Sequence, residues 1–93
     1  MDKVTSYQLK FKASVNKDLK NIGKTEGLKI IKNIKEKLLK NPKLGIPLQG
    51  YGKTLWRHRI GDYRVIYSFN DKELWVLIVH IAHRKEVYKN LPS

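Results

Sequence analysis

The run Leu74-Trp75-Val76-Leu77-Ile78-Val79-His80-Ile81-Ala82 is apolar at odd and even positions alike. A strand made of it has no face to give to water, so it belongs in the middle of a sheet covered on both sides. Broken by His80, it is also far short of the roughly 20 apolar residues that a membrane-spanning helix needs. The rest of the chain must supply this segment with neighbours and covers.

Candidate neighbours lie just upstream. Leu55 to Ile60 and Tyr63 to Phe69 read as two strands joined by Gly61-Asp62, a tight-turn pair, and Asn70-Asp71-Lys72 makes the next turn. Near the start, Tyr7, Leu9 and Phe11 alternate with Gln8 and Lys10, which predicts a half-buried strand over about Ser6 to Phe11. Between these strands the period changes. Ser14 is a candidate N-cap for a short helix carrying Val15, Leu19 and Ile22 and stopping at Gly23. Thr25 is the candidate cap of a second helix, with Leu28, Ile31, Ile34, Leu38 and Leu39 as its apolar stripe and Ile30 beside it. Lys29, Lys32, Lys35, Lys37 and Lys40 coat the remainder, and Asn41-Pro42 ends the helix. Lys43 to Thr54 is a long connection in which Leu48 and Tyr51 are possible anchors. The expected fold is α+β: an N-terminal strand, a two-helix hairpin, then a three-stranded antiparallel meander with a short C-terminal helix or tail.

At 93 residues the chain is one domain, 1–93, because smaller units could not bury a sufficient core. It has no cysteine, which excludes disulfides, thiolate catalysis and cysteine-built metal centres. The first dozen residues, interrupted by Asp2, Lys3, Lys10 and Lys12, supply no signal-peptide core, so a cytoplasmic protein is expected. A net charge of +12 and a pI near 10.0 call for an acidic partner and disfavour a large self-interface, so a free monomer is expected.

The positive charge is of two kinds. Lysines spread mostly from Lys17 to Lys43, whereas Arg57, Arg59, Arg64 and Arg84 all fall in the second half. Lysine is a hydrated point charge, while arginine grips a phosphate through a planar fork. Arg57 and Arg59, two apart on one strand, share a sheet face, and Arg64 comes back close to them across the hairpin. Collecting like charges this way costs energy that a bound anion offsets. For any single arginine, an ordinary surface ion pair with Asp62, Glu73 or Glu86 is an equally good reading; for the set it is not.

His83, beside Arg84 at the end of the central run, is a candidate proton carrier or phosphate contact, and Tyr88 could bond a phosphate, stack on a base or cap the core. His80 and His83 have no third ligand nearby, so neither a metal nor another cofactor is expected. There is no Walker loop, dinucleotide fingerprint or paired-carboxylate site. A basic site of arginine, histidine and tyrosine suits metal-free RNA cleavage, in which the substrate's own 2′-hydroxyl is the nucleophile.

Leu55-Trp56-Arg57-His58-Arg59-Ile60-Gly61-Asp62-Tyr63-Arg64-Val65-Ile66-Tyr67, followed by His83-Arg84-Lys85-Glu86-Val87-Tyr88, resembles the RelE/ParE superfamily of toxins from toxin–antitoxin pairs, its RelE branch above all. The resemblance spans nearly the whole chain, including Asn41-Pro42 and Leu48-x-Gly50. It implies a ribosome-dependent endoribonuclease that cuts mRNA in the A site to leave a 2′,3′-cyclic phosphate. In that reading Arg64 resembles the arginine that stabilises the phosphate, and Arg84 a second one for the phosphate or the leaving group. Tyr88 resembles the C-terminal tyrosine on the substrate, and Arg57 and Arg59 stand for basic first-strand residues. Lys29, Lys32 and Lys35 are the expected contacts to ribosomal RNA. The implied partners are ribosome, mRNA and a cognate antitoxin with an acidic or amphipathic segment, with no membrane. Some relatives carry a glutamate base before the meander, whereas Lys43 to Trp56 holds no acid, leaving a basic residue or Tyr88 to take the proton. His83-Arg84 also occurs in gyrase-poisoning ParE relatives, which makes gyrase inhibition the alternative function.

Overall fold

The computed structural model describes residues 7–50 and 54–86. Five strands run β1 (Gln8–Phe11), β2 (Ile46–Pro47), β3 (Trp56–Ile60), β4 (Tyr63–Asn70) and β5 (Trp75–His83), with helices α1 (Val15–Ile22) and α2 (Lys24–Asn33) following β1. They form one sheet in the order β1-β5-β4-β3-β2, with β1 parallel to β5 and the other pairs antiparallel. The apolar run thus lies inside the sheet. Val76, Ile78 and Ile81 join Val15, Ile30, Ile34, Leu38, Val65 and Tyr67 in the main core. Val79 packs with Leu55 and Ile66 in a second, smaller cluster, which Leu77, Ala82 and Leu48 border. A bulge near Val79 shifts the register from Tyr67↔Ile78 to Ile66↔His80, which is why the core positions run 76, 78, 81 rather than strictly alternating.

The helical hairpin departs from expectation at its caps. Gly23, not Thr25, starts α2: at φ 103° it occupies a backbone region open chiefly to glycine, donates its N–H to the Leu19 carbonyl and accepts from Gly27 N–H. One residue therefore ends α1 and starts α2, leaving no room for a separate cap. Ser14 stands at the start of α1 but makes no side-chain capping bond. The buried stripe of the second helix is Ile30, Ile34 and Leu38, while Leu28 is 60% exposed. These three recur every four residues, and each such side chain contributes about 1.5–3 kcal/mol on full burial.

Beyond Asn33 the helix widens into a π-helical turn, Ile34–Leu38, where the Leu39 N–H reaches back five residues to the Ile34 carbonyl. The helix stops before Asn41-Pro42, which instead open a 3₁₀ turn, Pro42–Leu44, with the Asn41 side chain accepting from Lys43 N–H. The connection after it is not entirely irregular. Ile46 and Pro47 pair with Arg57 and Trp56, adding the fifth strand, β2, at the sheet edge. Two residues with a proline between glycine and leucine carry no alternation to detect, and proline is tolerated at an edge because its missing N–H leaves the ladder intact. Among the described residues no helix is long and apolar enough to cross a membrane. The expected C-terminal helix or tail and the Tyr51 anchor lie outside the described residues.

Candidate nucleic-acid interface

Gly61, at φ 58°, lets the β3–β4 hairpin close tightly and sets the register Arg59↔Arg64, His58↔Val65 and Arg57↔Ile66. Strand alternation then puts Arg57, Arg59 and Arg64 on the sheet face away from the core, with Arg59 and Arg64 directly opposite each other. Because β2 is only two residues long, no strand among the described residues lies beside the outer edge of β3 beyond Arg57. A cavity of about 470 Å³ opens there, bounded by the three arginines, His58, Lys37 and the Leu44–Ile46 backbone turn. Among the described residues no acidic one lines it. Lys37 and His58 enter from the helix side and the arginines from the other, since a strand edge is accessible from both faces.

The rim of this cavity is fixed by Tyr67, which is fully buried. Its hydroxyl donates to the Pro42 carbonyl at 2.6 Å and accepts from Gly45 N–H at 3.0 Å. Burial pushes the phenol up to about 12. Gly45 is required by close approach, because a Cβ there would meet the Arg57 carbonyl and the Tyr67 hydroxyl. Arg64 turns its guanidinium toward the Gly61 and Tyr63 carbonyls, both at 3.3 Å. Opposite, Arg84 N–H donates to the Asp62 carbonyl at 2.8 Å, so the exposed Arg84 begins beside the same turn.

His83 goes elsewhere. Its ring packs edge-on against Tyr63 with centroids 5.9 Å apart, and its Nδ1 accepts from Lys85 N–H. It borders a second cavity of about 190 Å³, together with Asp18, Asn21, His80 and Glu86. Lys29, Lys32 and Lys35 are exposed on α2 and the turn after it and do not reach the arginine cavity, and Lys29 lies 3.9 Å from Glu26. Tyr88 lies outside the described residues. The arginines Arg57, Arg59 and Arg64 therefore come together as expected, with Arg84 at the adjoining turn, and His83 does not join them.

Two residues of the cavity are absent from the expected set. Lys37 is the one lysine of the helical segment that lines it, and His58 bonds across to the helix, its Nε2 2.9 Å from Asn33 Oδ1. Burial first, and the Lys37 charge second, hold the His58 ring below its ordinary value of 6.5. A signal existed: Asn33 and Lys37 stand four apart, on one helix face, and His58 is the polar residue on the core-facing side of β3. Among the described residues no group of three or more His, Cys, Asp or Glu side chains is placed to hold a metal ion.

An α-helical hairpin thus lies on a five-stranded sheet, with cations gathered at its short edge. The family model for the ParE toxin of the type II toxin–antitoxin system parDE matches residues 9–88. Toxin RelE of Mycobacterium tuberculosis is 33% identical over 87 residues, covering 92% of this chain and 90% of that one. The toxin–antitoxin complex RelBE2 of the same organism contains a chain similar at a TM-score of 0.79 and 25% identity, over 90% of this chain and 98% of the other. The archaeal RelE–RelB complex of Pyrococcus horikoshii gives 0.61 and 30%, over 86% and 97%. The chain belongs to the RelE/ParE family of toxins of type II toxin–antitoxin systems.

Proposed function

We propose that this toxin is a metal-independent endoribonuclease that cuts mRNA in the ribosomal A site. The observation that carries the reading is the acid-free cavity on which Lys37, Arg57, Arg59 and Arg64 converge at an open strand edge. In the step, the 2′-hydroxyl loses its proton and its oxygen bonds to the adjacent phosphorus. The 5′-oxygen leaves and takes up a proton, giving a 2′,3′-cyclic phosphate and a 5′-hydroxyl. Negative charge grows on the phosphoryl oxygens, and preorganised guanidinium donors stabilise it most where water is excluded. Arg64 is assigned the phosphate, Arg84 the phosphate or leaving oxygen, and Tyr88 the substrate base or hydroxyl. Exposed Lys29, Lys32 and Lys35 are assigned to ribosomal RNA.

The test is in vitro translation with purified toxin, reading the message by primer extension with and without ribosomes. Cuts that require ribosomes and fall at A-site codons are expected, with a loss on the order of 100-fold in Arg64→Ala and in Arg84→Ala. Normal cutting in both variants would remove the assigned site. The match to the ParE model favours a second reading, inhibition of DNA gyrase by binding alone. Loss of supercoiling at toxin concentrations that leave messages intact selects it.

The M. tuberculosis RelBE2 chain was solved in a toxin–antitoxin complex and the P. horikoshii RelE in complex with RelB. For this chain we infer a cognate antitoxin whose acidic or amphipathic segment covers the Arg57 to Arg84 surface or displaces the segment around Tyr88. A purified complex that still cuts at the full rate contradicts that assignment.

A further inference from the structure

The nuclease reading leaves the proton acceptor unassigned, since among the described residues the cavity is lined by four cations and no carboxylate. One group in it has the chemistry. His58 lines the cavity with Arg57, Arg59 and Arg64, yet its side chain is tied to the helix by the 2.9 Å contact between Nε2 and Asn33 Oδ1. With an amide oxygen facing the ring, the proton of the neutral imidazole sits on Nε2 and the lone pair on Nδ1. His58 is 9% exposed and borders the cavity, and because Nε2 is the ring nitrogen engaged by Asn33, Nδ1 is the one left outside that contact. The ring is fixed in place, its tautomer is set, and it borders a cation-lined cavity.

We propose that His58 is the general base of the cleavage, its Nδ1 accepting the proton of the 2′-hydroxyl while Asn33 positions the ring. This rests on the endoribonuclease reading above. In the balanced step the 2′ O–H proton moves to Nδ1, the 2′-oxygen forms the new bond to phosphorus, and the bond from phosphorus to the 5′-oxygen breaks. The leaving oxygen takes a proton from water or a neighbouring donor, and His58 returns its proton to solvent.

A base must be unprotonated at working pH, and the surroundings of His58 keep it so. Lys37 faces it from the turn after α2, Arg64 lines the same cavity from β4, and Arg57 and Arg59 flank it on β3; the Leu44–Ile46 segment contributes no titratable group. Burial and the Lys37 charge hold the ring below 6.5, so the neutral form, the one able to accept a proton, predominates at pH 7.

The test is the pH dependence of kcat/KM for mRNA cutting on programmed ribosomes from pH 5 to 8, which reports the free toxin. For the wild type a rate that rises with pH to a plateau, with its midpoint below 6.5, is expected. His58→Gln is expected to cut on the order of 100-fold more slowly and to lose the acid limb while melting like the wild type. Lys37→Met, which removes a facing charge, should move the wild-type midpoint upward, an effect that a purely structural histidine would not produce. If His58→Gln fails to fold, the wild-type limb and its movement in Lys37→Met decide the matter alone. A flat wild-type profile, or a folded His58→Gln that cuts at the wild-type rate, overturns the assignment while leaving the nuclease reading intact. A wild-type toxin that leaves ribosome-bound message uncut overturns the nuclease reading, and His58 as its base with it.

Discussion

The Tyr67 hydroxyl and the Gly45 main-chain N–H, 3.0 Å apart, tie the centre of the sheet to the rim of the arginine cavity. Tyr67 sits in the main core with Val65 and Ile78, and Gly45 follows the 3₁₀ turn that leads to β2. The same hydroxyl donates to Pro42, so one buried oxygen holds both ends of that turn. Tyr67→Phe removes both bonds and strands the Gly45 N–H and the Pro42 carbonyl. A loss of about 1–3 kcal/mol in urea unfolding is expected, because an orphaned buried polar group costs its desolvation. Gly45→Ala should cost at least as much, since its Cβ collides with the Arg57 carbonyl, which is backbone and has little freedom to move.

The same phenol predicts an alkaline limit. In the unfolded chain it ionises near 10.0, and in the fold burial pushes it up to about 12. Between those values the unfolded chain has released a proton that the native one retains, so the native state loses ground as pH rises. The contribution is whole below pH 10 and falls away toward pH 12. Urea midpoints between pH 9 and 12 should decline more steeply for the wild type than for Tyr67→Phe.

The strands legible from sequence were those whose burial differs sharply between faces or is complete on both: β5 from its apolar run, and β3 and β4 from the Gly61-Asp62 turn between them. β2 was not legible, because Ile46-Pro47 owes its strand conformation to β3 rather than to any pattern of its own. The helical stripe was right at Ile34 and Leu38, with Leu39 packed against the core, and wrong at Leu28, whose place Ile30 takes. Leu28 and Ile30 are equally apolar, and only the burial of Ile30 in the main core selects one over the other. In the site, strand parity correctly joined Arg57 with Arg59 and gave no reason to add His58, which lies between them on the opposite face. Parity ceases to separate faces at an uncovered edge, and the shortness of β2 that creates the edge is itself a tertiary fact. The second cavity follows the same rule: β1 pairs with β5 only as far as Ile78, and His80 and His83, on opposite faces by parity, both border the space beyond.

That placement separates the two histidines functionally. With its ring against Tyr63 and its Nδ1 occupied by Lys85 N–H, His83 is outside the arginine cavity. His83→Ala is expected to change cutting by less than about tenfold, against the roughly 100-fold loss from a missing transition-state donor in Arg64→Ala. Equal losses, measured by primer extension on the same ribosomes, would place His83 back among the reacting groups.

Asp18 anchors α1 to β5 where β1 no longer covers it. Its Oδ2 accepts from His80 Nδ1 at 2.9 Å and from Ile81 N–H at 3.1 Å, and His80 is only 7% exposed. Asp18→Ala leaves both donors without a partner, beside a His80 Nε2 that already has none. A loss of about 2–3 kcal/mol follows from two stranded buried donors. Lys43→Ala is the contrast: it breaks a 3.9 Å pair with Asp71 whose side chains are largely in water, so unfolding should shift by less than about 1 kcal/mol.

The cavity also makes a prediction about salt that does not depend on cutting. Four cations, Lys37, Arg57, Arg59 and Arg64, line it, and Arg59 opposes Arg64 directly, an arrangement whose repulsion is relieved when phosphates sit between the charges. Each phosphate contact made to a single strand releases bound counterions, giving a slope of about −0.7 in log affinity against log salt. Four contacts give a slope of about −3 for a single-stranded RNA oligonucleotide followed by fluorescence anisotropy. Replacing Arg59 by alanine should flatten the slope by about 0.7, whereas replacing Lys85, beyond the end of β5 and outside the cavity, should leave it nearly unchanged. A slope that responds equally to both variants would mean that the whole basic surface, rather than the open edge of β3, holds the strand.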